Sequence, residues 1–297
     1  MVVKNKKTLL VGDNPFHGIS HLSQDRAIAR GNDISDANYA AKLVITSLQN
    51  GAKGFVFSVS DTTLSILKAI DESKMDSTLY AIVPYAYDYV RLATHLGISG
   101  LGRKIVKQIV FSGNARAIIM GLKGVAKMDI VDLLKTYLLF EVSRIKANGG
   151  RNNVLESVLL HEILTDMALA LNLDWLCKSY IDFLTKLKIR PGFETRNFAY
   201  LVNKFNEWNI DFSQITILAP FNKAGFQMNP SQIECEKALE SLNEPDIIAM
   251  SILAAGYLKL PEAAKHISGL SNIRSVVVGV SKELHARETF KFLKESL

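Results

Sequence analysis

Carboxylate, amide and imidazole side chains crowd one short stretch near the start of the chain. Thr8 to Ser20 reads TLLVGDNPFHGIS, so Asp13, Asn14 and His17 follow the apolar run Leu9-Leu10-Val11 in a turn built on Gly12, Pro15 and Gly18. An Asp and a His placed this way can pass protons, with Asn14 to hold a polar substrate. A Gly/Pro turn also uses Asp simply to cap its own backbone. His161-Glu162 forms a second concentration, directly after Val158-Leu159-Leu160. Imidazole titrates near neutrality, which suits His161 to acid–base work; a hydrogen-bonded core histidine is the alternative. Glu194 and Arg196 alternate along a strand-like run and so share a face, either as acid and anion holder or as an internal ion pair. Asp61, Asn222 and Lys223 also stand just beyond apolar runs. Lys223 could hold an anion or act as a base if its pKa were depressed, although most lysines are solvated surface charges.

One further stretch suits an anion. Val278-Gly279-Val280-Ser281-Lys282-Glu283 puts a glycine, a serine and a lysine between a strand and a helix start. Backbone N–H groups and the helix dipole favour phosphate there, and Gly279, Ser281 and Lys282 are its expected contacts. A routine strand-to-helix turn is the alternative. His17, His161, Glu194 and Asp13 could ligate a metal, but no H-x-H or H-E-x-x-H spacing supports one, and none is expected.

These residues need elements to bring them together. Strand-like runs recur near Leu9–Val11, Gly54–Ser60, Leu79–Pro84, Val154–Leu160, Pro191–Asn197, Ile215–Pro220, Asp246–Ile252 and Arg274–Gly279, of which Pro191–Asn197 is the least hydrophobic. Most are the near-continuous Val/Ile/Leu runs of strands buried on both faces, and amphipathic stretches lie between them. Helices are expected from about Asp36 to Gly51, Leu64 to Ser73, Asp166 to Leu187, Leu201 to Trp208, Ser231 to Leu242 and Pro261 to Ile267, with a last one from about Glu283. Asp61-Thr62-Thr63 is the expected cap of the second. A long loop spans about Asp13 to Asp33. Eight such units make a (β/α)8 barrel the economical reading, as one domain over residues 1–297. An open doubly wound sheet would want a phosphate fingerprint after the first strand, and none stands there. In a barrel, all the candidate residues converge on one mouth.

Residues 85–153 interrupt the plan and read as a helical insertion, with amphipathic stretches at Ile105–Phe111 and Ile130–Val142. They hold 11 Lys and Arg against 4 Asp and Glu, while the rest of the chain balances 24 against 25, so the net charge of +6 is local. With no nucleic-acid motif and little aromatic interleaving, the insertion is expected to serve as a lid or a homo-oligomer surface rather than to bind nucleic acid. No apolar run approaches the ~18 residues that would span a membrane, and no signal peptide is legible. Two unpaired cysteines, Cys177 and Cys235, fit a reducing cytoplasm.

The second half of the chain resembles the aldo-keto reductase superfamily. Ile248-Ala249-Met250-Ser251-Ile252-Leu253-Ala254-Ala255-Gly256 and Ser275-Val276-Val277-Val278-Gly279-Val280-Ser281 are similar to that family's last two strands. The resemblance implies a barrel whose eighth-strand loop holds the phosphate of a nicotinamide cofactor, so NADPH becomes a possible cofactor. Phe57-Ser58-Val59-Ser60-Asp61-Thr62 resembles the second-strand region with its active-site aspartate, and His161 matches the fourth-strand histidine. The family's tyrosine and lysine are absent: Ile66 and Val83-Pro84 stand in their places. Three functions follow as expectations. The first is an enzyme acting on a small anionic metabolite at the barrel mouth. The second is an aldo-keto-reductase-like oxidoreductase with a rebuilt catalytic set. The third is a non-catalytic binding protein.

Overall fold

Eight parallel strands close on themselves in the computed structural model, which describes residues 6–17, 36–84 and 130–297. They are β1 (Thr8–Gly12), β2 (Gly54–Ser58), β3 (Ser77–Val83), β4 (Asn153–Leu160), β5 (Arg190–Glu194), β6 (Thr216–Pro220), β7 (Asp246–Met250) and β8 (Ile273–Gly279). Each pairs in parallel with its sequence neighbour, and β8 closes on β1 with Leu10 opposite Val277 and Gly12 opposite Gly279. The expected (β/α)8 barrel is the observed fold.

Strand alternation explains why these sequences close. Side chains on a strand point to opposite faces in turn, and in a barrel both faces are buried. Leu10, Val56, Tyr80, Ile82, Leu159, Leu218, Ile248, Met250 and Val277 fill the interior. Their neighbours, among them Leu9, Val11, Phe55, Phe57, Val158, Leu160, Ile217 and Val276, pack outward under the helices. The base of the barrel is polar. There Arg190 lies 3.1 Å from Asp246, and the Thr216 hydroxyl donates to the same carboxylate at 2.6 Å.

The described helices are α1 (Ala37–Gln49), α2 (Asp61–Glu72), α3 (Ile130–Gly149), α4 (Glu162–Ala170), α5 (Asp174–Lys186), α6 (Phe198–Glu207), α7 (Gln232–Glu240), α8 (Leu260–Gly269) and α9 (Glu283–Ser296). Asp36 caps α1 by accepting from the Asn38 N–H. Two sequence expectations need correction. Ser60, rather than Asp61, caps α2, because its hydroxyl accepts from the Thr63 N–H in a reciprocal capping box. The single helix expected over Asp166–Leu187 is two: α4 ends at Ala170, Asn172 turns left-handed (φ 55°), and α5 begins at Asp174. Asn tolerates that backbone better than most residues.

Of the insertion, the 20-residue α3 and the short turn that joins it to β4 are described, and α3 packs against α2. The Ile105–Phe111 stretch, most of the basic residues and the loop after His17 lie outside the described residues. Both cysteines are buried free thiols. Among the described residues, no helix is long and apolar enough to cross a membrane.

Candidate functional site

The C-terminal ends of the strands surround a cavity of about 510 Å³. Val56, Ile82, Leu218, Met250 and Val277 from the interior cluster form its apolar floor. Gly12, Asp13, Asn14 and Pro15 line it next to Val278 to Ser281, and Ser251, Ile252, Leu253, Ala255 and Gly256 continue the lining beyond β7. The His285 and Thr289 side chains reach it from α9. Among the described residues, two carboxyl groups face this space, Asp13 and Glu194, and both are buried.

Local structure fixes each of them. Asp13 is the first residue past β1, and its Oδ2 accepts from the Ser58 N–H at 2.6 Å, tying the β1 exit to the β2 exit. Glu194 is the last residue of β5, on the interior face with Gly192. Its Oε2 accepts from the Glu162 N–H at 3.3 Å, at the start of α4. Burial raises the Glu194 pKa, to about 8, and the Glu162 carboxylate pushes the same way. Arg196 and the Glu162 N–H oppose this, and Asp13 adds a smaller push upward. The net direction leaves a carboxyl group able to hold its proton near neutral pH.

Behind Glu194 sits a charged layer. The Arg196 guanidinium bonds Glu162 through Nε and the Gln227 side chain through Nη1. Asp166 accepts from the Thr195 hydroxyl at 2.5 Å and from the Asn197 amide at 2.9 Å. Burial raises the Asp166 pKa against those two hydrogen bonds. His161 is the residue before α4, and its Nδ1 accepts from the Ile163 N–H at 3.2 Å. Its neutral ring therefore carries the proton on Nε2. Burial lowers its pKa, opposed by Glu162 and assisted by Arg196.

The structure thus unites Asp13, Asn14, Glu194, Gly279 and Ser281 around one space and leaves other candidates elsewhere. His161 and Arg196 lie in the layer beside Glu194, outside the cavity lining. Asp61 turns outward, with its side chain 96% exposed and bonded to Arg144 of α3 at 2.6 Å. Asn222 is buried, and its amide spans its own loop, donating to the Phe226 carbonyl and accepting the Phe226 N–H. Lys223 is an exposed partner of Glu262 at 2.6 Å. Lys282 is an exposed residue at the start of α9. For His17 only the main chain is described, closing a short 3-10 turn.

His285 and Thr289 escaped sequence reasoning. Their i, i+4 spacing on the helix after the Gly279 turn was the available signal. Gly279 itself permits a close contact. A Cβ there would come within 2.8 Å of the Pro15 ring, so its absence lets the first loop lie against β8. Among the described residues, no group of three or more His, Cys, Asp or Glu could hold a metal ion.

Fold and site together define a (β/α)8 barrel with buried carboxyl groups at its mouth. Two solved structures share that fold, each with a TM-score of 0.57 and 12% identity over 97% of this chain, covering 90% and 89% of theirs. Both are described as the "putative aldo-keto reductase" from Pseudomonas aeruginosa. At this identity the likeness is one of fold. No protein-family model matches the sequence, and no curated protein does. Ile66, at the position where the resemblance puts the family's tyrosine, is fully buried on α2.

Proposed function

We propose that this single barrel domain is an enzyme acting on a small metabolite with an anionic end, and that Glu194 carries the proton. One observation supports the reading: a single cavity runs from the buried Asp13 and Glu194 carboxyls to the Gly279–Ser281 corner at the start of α9. A phosphate or carboxylate is received at that corner by main-chain N–H groups, the Ser281 hydroxyl and the Lys282 ammonium. The reacting end then lies toward Glu194. A carboxyl protonated near neutral pH acts as a general acid, and Asp13, held by the Ser58 N–H, stays beside it as a second carboxyl group. Asn14 lies on the rim for a polar substrate group. His161 stiffens the start of α4 and offers Nε2–H as a donor.

A second reading, a nicotinamide-dependent oxidoreductase, draws on the fold shared with the Pseudomonas aeruginosa protein. In that reading the same corner holds the cofactor's phosphate, and Glu194 supplies the proton in place of the missing tyrosine.

The test is a titration with NADPH, NADH and a set of phosphorylated and carboxylate metabolites, followed by thermal shift and fluorescence. Lys282→Ala is expected to weaken binding of the ligand found. Glu194→Gln is expected to keep binding and lower turnover by about 10²–10⁴-fold, the range for general acid–base catalysis. Saturable NADPH binding would select the oxidoreductase. No binding up to millimolar concentrations would remove it. Full turnover by Glu194→Gln would sink the role given to Glu194 in either reading.

A further inference from the structure

The charged layer behind Glu194 has an arrangement that the proposed reaction does not by itself require. Glu162 meets Glu194 and Arg196 in two different ways. Its main-chain N–H donates to the Glu194 carboxyl at 3.3 Å, while its own carboxylate bonds the Arg196 Nε. Arg196 follows Glu194 by two residues, just past the end of β5, where its positive charge would favour an ionised Glu194. Instead its Nε goes to Glu162 and its Nη1 to Gln227, a residue whose backbone is left-handed (φ 60°). A guanidinium bonded to a carboxylate stabilises a second carboxylate much less than one left to face it alone.

We propose that Glu162 and Arg196 are a positioning pair that sets the protonation state of Glu194, with Glu162 occupying the guanidinium that would otherwise ionise it. The proposal deepens the role given to Glu194 above and rests on that reading for its functional meaning. Among the described residues, the charged groups facing Glu194 are Asp13 at the β1 exit, Glu162 at the start of α4 and Arg196 at the β5 exit. His161 adjoins the same pair, sensing both Glu162 and Arg196. Two of the three groups facing Glu194 are carboxylates that repel its charge. The one cation is bonded to one of those carboxylates. The pair therefore works in opposite senses. Losing Glu162 removes a like charge and frees a cation, and both effects favour ionised Glu194. Losing Arg196 removes a cation that favours ionisation and leaves only the Glu162 N–H on that side.

This opposition gives a test that needs no substrate. The protein is labelled with ¹³C at the Glu carboxyl carbons and titrated by NMR, with the Glu194 signal assigned by its disappearance in Glu194→Gln. Glu162→Gln is expected to lower the Glu194 pKa by about one unit, a tenfold rise in its acid dissociation constant. Arg196→Gln is expected to raise it. Arg196→Lys keeps the charge and is expected to lie nearer the wild type than Arg196→Gln does. A pair that only braced the loops would move the pKa in the same direction in both glutamine variants, or in neither, and either result overturns the proposal. If Arg196→Gln does not fold, the near-isosteric Glu162→Gln decides alone: a fall supports the pairing, and no fall overturns it. An unshifted pKa would refute the positioning role and leave the proposed enzyme standing. A barrel with no turnover would leave the titration result intact.

Discussion

The proposed chemistry centres on Glu194 because it is buried, faces the cavity and has carboxylate neighbours. A buried acid with a raised pKa also leaves a mark on stability. Below the ordinary glutamate pKa of 4.5, the group is protonated in both folded and unfolded chains and contributes nothing. As pH rises above that value the unfolded chain releases the proton first, while the native state keeps it until about 8. The unfolded state then binds fewer protons, so stability falls across that window and levels off above it. Glu194→Gln removes this dependence. Denaturant titrations at pH 5 and pH 8 are expected to show wild type losing stability relative to Glu194→Gln as pH rises. A constant difference between the two proteins would mean that Glu194 is not buried as a protonated acid. His161 shows the complementary effect: burial lowers its pKa, its Nδ1 serves a helix N-terminus, and its structural duty is visible alongside any chemical one.

At the scale of elements, strand ends and helix starts form the mouth, and each is held by a short-range device. Ser60 and Thr63 lock the start of α2, His161 caps α4, and Gly279 lets Pro15 lie against β8. β5 is tightly fitted against its neighbours. It reads Arg190-Pro191-Gly192-Phe193-Glu194, and a Cβ on Gly192 would meet Leu159 Cδ2 at 2.4 Å and Ser157 Oγ at 2.8 Å. The glycine thus sets how closely β5 approaches β4, and with it the position of Glu194 two residues on. Gly192→Ala is expected to cost about 1–3 kcal/mol, the usual range for overpacking. It is also expected to disturb the Glu194 titration, because β5 must shift. Thermal unfolding and the same carboxyl NMR check both. A variant with unchanged stability would show that the interior yields more easily than the contacts imply.

Over the whole molecule, the two ends of the barrel divide their labour. The mouth holds the cavity, and the base holds the Arg190–Asp246–Thr216 network with Arg274 at its edge. In barrels of this class, charge at the N-terminal end serves stability and the C-terminal end serves chemistry. Asp246→Ala leaves the part-buried Arg190 guanidinium without its carboxylate and is expected to destabilise the fold by about 2 kcal/mol. Because it lies at the opposite end from the cavity, it is expected to leave the Glu194 pKa in place. Chemical denaturation paired with the NMR titration measures both, and a moved Glu194 pKa would mean that the two ends are coupled through the core.

The sequence by itself determined the barrel. Period-two and period-3.6 apolar patterns are local, so all eight strands and most helices are legible from neighbouring residues. The break at Asn172 was missed because an apolar pattern continues across it. The strand exits were legible for the same reason, and Asp13, Glu194 and Gly279 could be named from them. Tertiary structure decided which of the exit residues share a space, because that depends on partners far away in the chain. Asp61 is drawn outward by Arg144, 83 residues on, and Lys223 by Glu262, 39 residues on. Asn222 is absorbed by its own loop. The raised pKa of Glu194 comes from the burial that barrel closure imposes and from the Glu162 carboxylate, 32 residues earlier. Charge and burial are sums over neighbours in space, and a linear pattern carries the neighbours only along the chain.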